Sequence, residues 1–159
     1  MSTYKTVCCS PAKSNILLMV KERPSGTSKG NCVNTPYYYI FIPIIEQLNQ
    51  QLANFFITII FCKTMNWIGY GYEVAKRILQ DIFYAGSASP ENARVVMFHS
   101  SMERQHGQLK KLILNQLQKP ASECTIRLIF SSVALGMGAD LQNVSRIIHA
   151  GPPSTLEIE

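Results

Sequence analysis

The chain contains no G-x-x-x-x-G-K-[ST] loop, so it does not encode the backbone cradle and lysine that hold the phosphates of a nucleoside triphosphate. A paired acidic motif for holding magnesium is missing as well. Together these gaps exclude self-contained phosphoryl transfer. Cysteine is sparse and odd in number, five in all, with no C-x-x-C pair. Vicinal Cys8 and Cys9 are poorly placed to bridge each other, so neither a disulfide framework nor a zinc-ligand set follows. A reducing compartment is the simpler reading. Long apolar runs are absent: the greasiest segment, 55–62, is far shorter than the roughly 20 residues of a spanning helix. Residues 1–14 mix polar side chains with Lys5, Pro11 and Lys13 and form no secretory signal. No internal repeat is evident, and a soluble protein without a membrane partner is expected.

What is present fits one domain. The chain has 159 residues, 47% of them hydrophobic, enough for a real core. A net charge of +5 and a pI near 9 permit a polyanionic partner without demanding one.

The most informative stretch is 126–149. It opens with an apolar run of strand length, Ile126-Arg127-Leu128-Ile129-Phe130, expected to be a central strand. Ser131 and Ser132 follow, then Gly136-Met137-Gly138, where the missing Cβ permits positive φ and close approach to a ligand, and then the carboxylate of Asp140. In an open parallel sheet the loops leaving the carboxyl ends of strands form the binding crevice. A glycine pair alone serves strand-to-helix turns equally well without any ligand. Residues 146–149 read as a second strand returning beside the first.

In chain order, 1–14 reads as an irregular lead-in, 15–20 as a short strand and 24–31 as a polar, turn-forming mobile loop. Thr35-Pro36 reads as a helix start, a hydroxyl cap followed by a proline whose absent N–H costs nothing there. Phe41, Ile44, Ile45, Leu48 and Leu52 share one helical face, and Pro43 either kinks this helix or marks its true beginning. A strand over 57–62 precedes a helix with Val74, Ala75, Ile78, Leu79, Ile82 and Phe83 on one side. A loop at 87–90, a strand at 94–99 and a helix at 103–118 burying Leu109, Leu112, Ile113 and Leu117 complete the pattern, with Pro120 closing the last helix. Alternating helices and unbroken apolar strands imply an α/β fold with a parallel sheet covered on both faces.

The string Ser132-Val133-Ala134-Leu135-Gly136-Met137-Gly138-Ala139-Asp140, then Asn143-Val144 and Ile147-Ile148-His149-Ala150-Gly151-Pro152-Pro153-Ser154, closely resembles motif V and the following strand of RecQ-type superfamily 2 DNA helicases. Phe61-Cys62-Lys63-Thr64 resembles motif IV of that family, Phe98-His99-Ser100-Ser101-Met102 its tyrosine-histidine-alanine-glycine-leucine segment, and Ser10-Pro11-Ala12-Lys13-Ser14-Asn15-Ile16 the linker into its second RecA-like domain. The resemblance covers nearly the whole chain. It implies a RecA-like three-layer domain with a mostly parallel sheet flanked by helices, a lead-in strand and mobile loop over 1–35 and the helicase C-terminal domain over 36–159. It further implies that Gly136, Gly138 and Asp140 face the ATP cleft, and that Lys63, Thr64, His99 and Ser132 grip the backbone of single-stranded or forked DNA. ATP and Mg2+ would serve the complete enzyme, with the first RecA-like domain, on the same or another chain, as partner. A nuclear location comes from the family alone.

Each of these residues has a plainer role open to it. Lys63 is equally a solvated charge, Thr64 a helix cap, His99 a satisfied strand-end side chain, and Ser132 a donor to its own turn. Asp140 would cap a short helix as readily, and Arg146 would pair with it at a screened surface. Cys62 and Cys124 read as small core residues. The chain stops at Glu159, ahead of the family's arginine-rich motif VI, so a fragment, truncated gene model or divergent copy of a 3′ to 5′ helicase, inactive alone, is expected. A non-catalytic nucleic-acid-binding or helicase-docking module, and an RNA helicase of the same superfamily, stand as alternatives.

Overall fold

Four short runs rich in isoleucine, valine and phenylalanine pair into one sheet in the computed structural model, which describes residues 17, 19, 35–102, 107–132, 141 and 143–151. Helix α1 (Thr35–Gln51) leads to strand β1 (Thr58–Phe61), helix α2 (Met65–Leu79), strand β2 (Val95–Phe98), helix α3 (Gly107–Gln118), strand β3 (Leu128–Ser131) and strand β4 (Arg146–His149). All the pairings are parallel, in the order β2-β3-β1-β4. The expectation of a parallel α/β sheet flanked by helices therefore holds. The expected place of the last strand does not, because β4 lies against β1 and not against β3. Both edges of β3 are already taken, by β1 and β2.

Register separates the two faces. Alternate residues of a strand point to opposite sides, and Ser131 is in register with Phe98 and Phe61, while Phe130 belongs to the other side. Helices α1 and α2 cover the Phe130 side: the Phe41 ring meets Phe130 edge-on at 5.1 Å, and Gly71 of α2 lies directly under the Phe130 ring. Helix α3 lies on the Phe98 side, with Lys110 Nζ 5.6 Å from the centre of the Phe98 ring. The three strands β1 to β3 are buried along almost their whole length, as unbroken apolar runs require. Strand β4 differs. Its burial alternates, and Ile147 is 57% exposed at the sheet's edge.

Local chemistry explains most element boundaries. Helix α1 buries Phe41, Ile45 and Leu48, with Ile44 half-buried and Pro43 inside it on the solvent side, and Leu52 lies half-buried just beyond its end. Helix α2 ends at Leu79, earlier than the apolar spacing predicts, because Gln80 takes a positive φ of 44° and a short 3-10 turn, Gln80–Phe83, carries Phe83 into the core. Ile113 and Leu117 of α3 are buried as expected, whereas Leu109 and Leu112 are only half-buried and Gln116 takes a buried place that its polarity argued against. Of the strand expected over 15–20, Leu17 and Met19 are described. They lie in no strand and are 82% and 69% exposed, without the sheet edge that a strand needs.

Arg146 takes no aspartate partner among the described residues, Asp140 lying outside them. Its Nε donates to Thr58 Oγ1 at 3.0 Å, its Nη1 donates to Gln47 Oε1 at 2.9 Å, and the guanidinium lies 4.9 Å over the Phe55 ring. Burial lowers its pKa. No helix among the described residues is long and apolar enough to cross a membrane.

Candidate nucleic-acid interface

The strand ends bring the candidate residues together. Because β1, β2 and β3 run parallel and their last residues Phe61, Phe98 and Ser131 are in register, whatever follows each strand emerges on the same rim. His99, Ser132 and the pair Lys63-Thr64 therefore line up across three neighbouring strands, a span of about 10 Å at the usual strand spacing. Backbone bonds extend the ladder to this level: Ser132 N donates to Phe98 O at 3.1 Å, and Cys62 N to Ser131 O at 2.8 Å.

Each side chain arrives in a definite state. Lys63 and Thr64 are exposed, and His99 is half-buried. Thr64 occupies the cap position of α2 with extended backbone, yet its hydroxyl makes no capping bond. The capping role open to it in the sequence is therefore not taken up, and its oxygen remains for a ligand. Ser132 Oγ is buried without a hydrogen-bond partner, whereas its neighbour Ser131 donates to Phe98 O at 3.1 Å and Ser132 O at 2.7 Å. The serine that bonds its own turn is thus Ser131. A buried hydroxyl left unpaired costs about 1–3 kcal/mol.

The backbone adds donors that the side-chain pattern does not reveal. The first turn of α2 carries no acidic residue, and its outermost amides lie beside Lys63, where a helix N-terminus favours an anion. No aspartate or glutamate occurs among the described rim positions 61–65, 98–102, 131–132 and 149–151. A lysine, hydroxyls and helix-start amides without a carboxylate among these positions suit an anion. No group of three or more acidic, histidine or cysteine side chains able to hold a metal ion occurs among the described residues. Gly136, Gly138 and Asp140, the expected nucleotide contacts, lie outside the described residues.

Two further features share this rim. His149, at the end of β4, is exposed and stacks on Phe61 at 5.3 Å, extending the line of polar groups to a fourth strand. Trp67, in the first turn of α2, stacks on Tyr37 at 3.6 Å and 23°, and Gly151 lies beside that tyrosine, its Cβ position 3.8 Å from the hydroxyl. The sequence held a signal for the tryptophan: it is the only one in the chain and follows Thr64 at helical spacing.

The cysteines belong to the core. Cys62 and Cys124 are buried, and burial pushes the Cys62 thiol up to about 12 and raises Cys124 as well. Such thiols are poor nucleophiles at neutral pH.

The fold and rim define an α/β domain with an anion-receptive surface at the carboxyl end of a parallel sheet. No family model, no curated protein and no solved structure matches the chain.

Proposed function

We propose that this chain acts as the second RecA-like domain of a RecQ-type, ATP-dependent 3′ to 5′ DNA helicase, gripping one strand of DNA and hydrolysing no ATP alone. The observation that carries the reading is the alignment of Lys63-Thr64, His99 and Ser132 on one carboxyl rim of three parallel strands. Every one of these groups donates hydrogen bonds or positive charge, the chemistry that holds a phosphate backbone without reading bases. Lys63 neutralises a phosphate as a point charge. Thr64, Ser132 and the α2 amides orient its oxygens. The sequence following Ser132 carries Gly136, Gly138 and Asp140, the residues that the helicase resemblance assigns to the nucleotide cleft of a complete enzyme. ATP, when bound between two such domains, supplies the phosphoryl chemistry, and this domain contributes one wall and the grip.

The test is direct. Fluorescence anisotropy with a labelled oligo-dT strand is expected to show weak binding that falls as salt rises. An ATPase assay on the same preparation, with and without the strand, is expected to show no turnover. Equal-length RNA as competitor separates a DNA from an RNA helicase domain. Absence of any strand binding at low salt, or DNA-stimulated ATP turnover by the purified chain, refutes the reading.

A further inference from the structure

A second surface lies away from this rim. Helix α3 carries an open groove of about 440 Å³ lined, among the described residues, by Gln108, Lys111, Leu112, Asn115, Gln116 and Lys119. The first five positions follow the spacing i, i+3, i+4, i+7, i+8 and share one face of the helix, and Lys119 follows one residue beyond its end. The volume is within the range of ligand-binding clefts. Its Lys119 end sits where the chain turns, with Glu123 N and Cys124 N donating to Pro120 O, before entering β3 at Leu128. That is the amino end of the sheet, opposite the rim of Lys63 and Ser132.

We propose that this groove docks an extended acidic peptide segment of a partner protein, with Lys111 and Lys119 receiving carboxylates, Leu112 an apolar side chain and Gln116 a backbone N–H.

Three observations single out that partner. Among the described residues, the charges lining the groove are two exposed lysines, neither with a carboxylate partner there; Glu91 and Glu123, the described acidic residues near this end of α3, do not line it. Lys111 and Lys119 are eight residues apart, about 12 Å along the helix. An extended peptide rises about 3.3 Å per residue, so acidic residues four apart match that separation.

Gln116 supplies the third. It is 8% exposed, and its Oε1 has no hydrogen-bond partner. Its Nε2 donates to Glu91 O over a long 3.4 Å, and that carbonyl fixes which end of the amide is nitrogen. Glu91 O also accepts from Thr125 Oγ1 at 2.7 Å, so it keeps a strong partner if the glutamine amide turns toward the groove. Turned toward the groove, that acceptor can take a donor. A peptide backbone carries one at every residue, whereas the phosphodiester backbone of a nucleic acid carries only acceptors.

The experiment uses the full chain and a labelled decapeptide with glutamates four residues apart and a leucine midway, beside the same peptide with glutamines and an oligo-dT strand. The acidic peptide is expected to bind about tenfold more tightly than its neutral counterpart, the size two partly desolvated charge pairs give. Lys111→Gln/Lys119→Gln, both at exposed sites, is expected to erase that preference while leaving oligo-dT binding unchanged. Gln116→Glu is expected to weaken the acidic peptide further by repulsion. Equal binding of the two peptides overturns the proposal, as does an unchanged preference in the double lysine variant. Loss of oligo-dT binding in that variant also overturns it and marks the groove as a nucleic-acid face. Because the rim residues are untouched, failure here is separable from failure of the helicase reading.

Discussion

Gly69 and Gly71 lie two residues apart in the same helix, and alanine at these positions should change stability in opposite directions. Removing glycine from a helix interior stabilises by roughly 0.5–1 kcal/mol, because alanine loses less backbone freedom on folding. At Gly69 a Cβ meets nothing within 4 Å, so that gain is realised in full. At Gly71 the new methyl would meet the Phe130 ring, with Cδ1 2.6 Å and Cζ 2.9 Å away, well inside van der Waals contact. Phe130 has no exposure and is held edge-on by Phe41 at 5.1 Å, so its ring has no room to swing. Overpacking of this sort costs about 1–3 kcal/mol, which exceeds the propensity gain. Gly71→Ala is therefore expected to lose about 1–2 kcal/mol net. Thermal unfolding followed by circular dichroism reads both: at roughly 2–4 °C per kcal/mol, Gly69→Ala raises Tm by about 2 °C and Gly71→Ala lowers it by about 4 °C. Phe130→Leu placed behind Gly71→Ala should cost less than its effect in the parent chain, with a coupling of about 1 kcal/mol. If Gly71→Ala stabilises as much as Gly69→Ala, the close packing of α2 on β3 is wrong.

Four other outcomes follow from the same geometry. Ser132→Ala should keep or slightly raise the unfolding midpoint, since it removes a buried unpaired hydroxyl, while weakening oligo-dT binding; a clear loss of stability would contradict the unpaired state. Lys63→Ala should weaken strand binding evenly across sequences and reduce the slope of log K against log salt by about 1, and an unchanged slope would remove Lys63 from the phosphate contacts. Arg146→Ala should destabilise by about 1–3 kcal/mol in urea titration, because Gln47 loses the donor that tied α1 to β4, and a neutral result would show that water replaces the guanidinium there. Cys62 has a folded pKa raised to about 12 from 9.0, so its contribution is complete below pH 9 and is lost as pH rises through that window. The urea midpoint of the parent chain should fall on the alkaline side more steeply than that of Cys62→Ala, and parallel curves would mean that the thiol is not buried.

Local pattern carried much of the fold because the relevant forces are local. Val95, Val96, Ile59, Ile60 and Ile129 sit in unbroken apolar runs that only a doubly covered strand can bury, and Phe41, Ile45 and Leu48 repeat at helical spacing. Strand order is not a local property. Nothing in Arg146-Ile147-Ile148-His149 tells which neighbour the strand meets, and β1 provided the free edge. Nor does spacing reveal that Gln80 turns the chain out of α2, or that Gly71 and Gly69 differ, since both depend on what faces the helix from the sheet. The rim was legible in its side chains, because strand ends in a parallel sheet gather whatever follows them. Its amides, and the stack of Trp67 on Tyr37, required the helix starts to be placed.

The edge formed by β4 has a practical consequence. Its outer backbone groups meet no further strand of the described sheet, it carries no proline, its one arginine, Arg146, is tied to Thr58 and Gln47, and Ile147 stands largely in water. A strand left this way is a template on which another copy can align. Sedimentation of the purified chain is therefore expected to grow heavier with concentration, and a charged replacement at Ile147 to hold it monomeric.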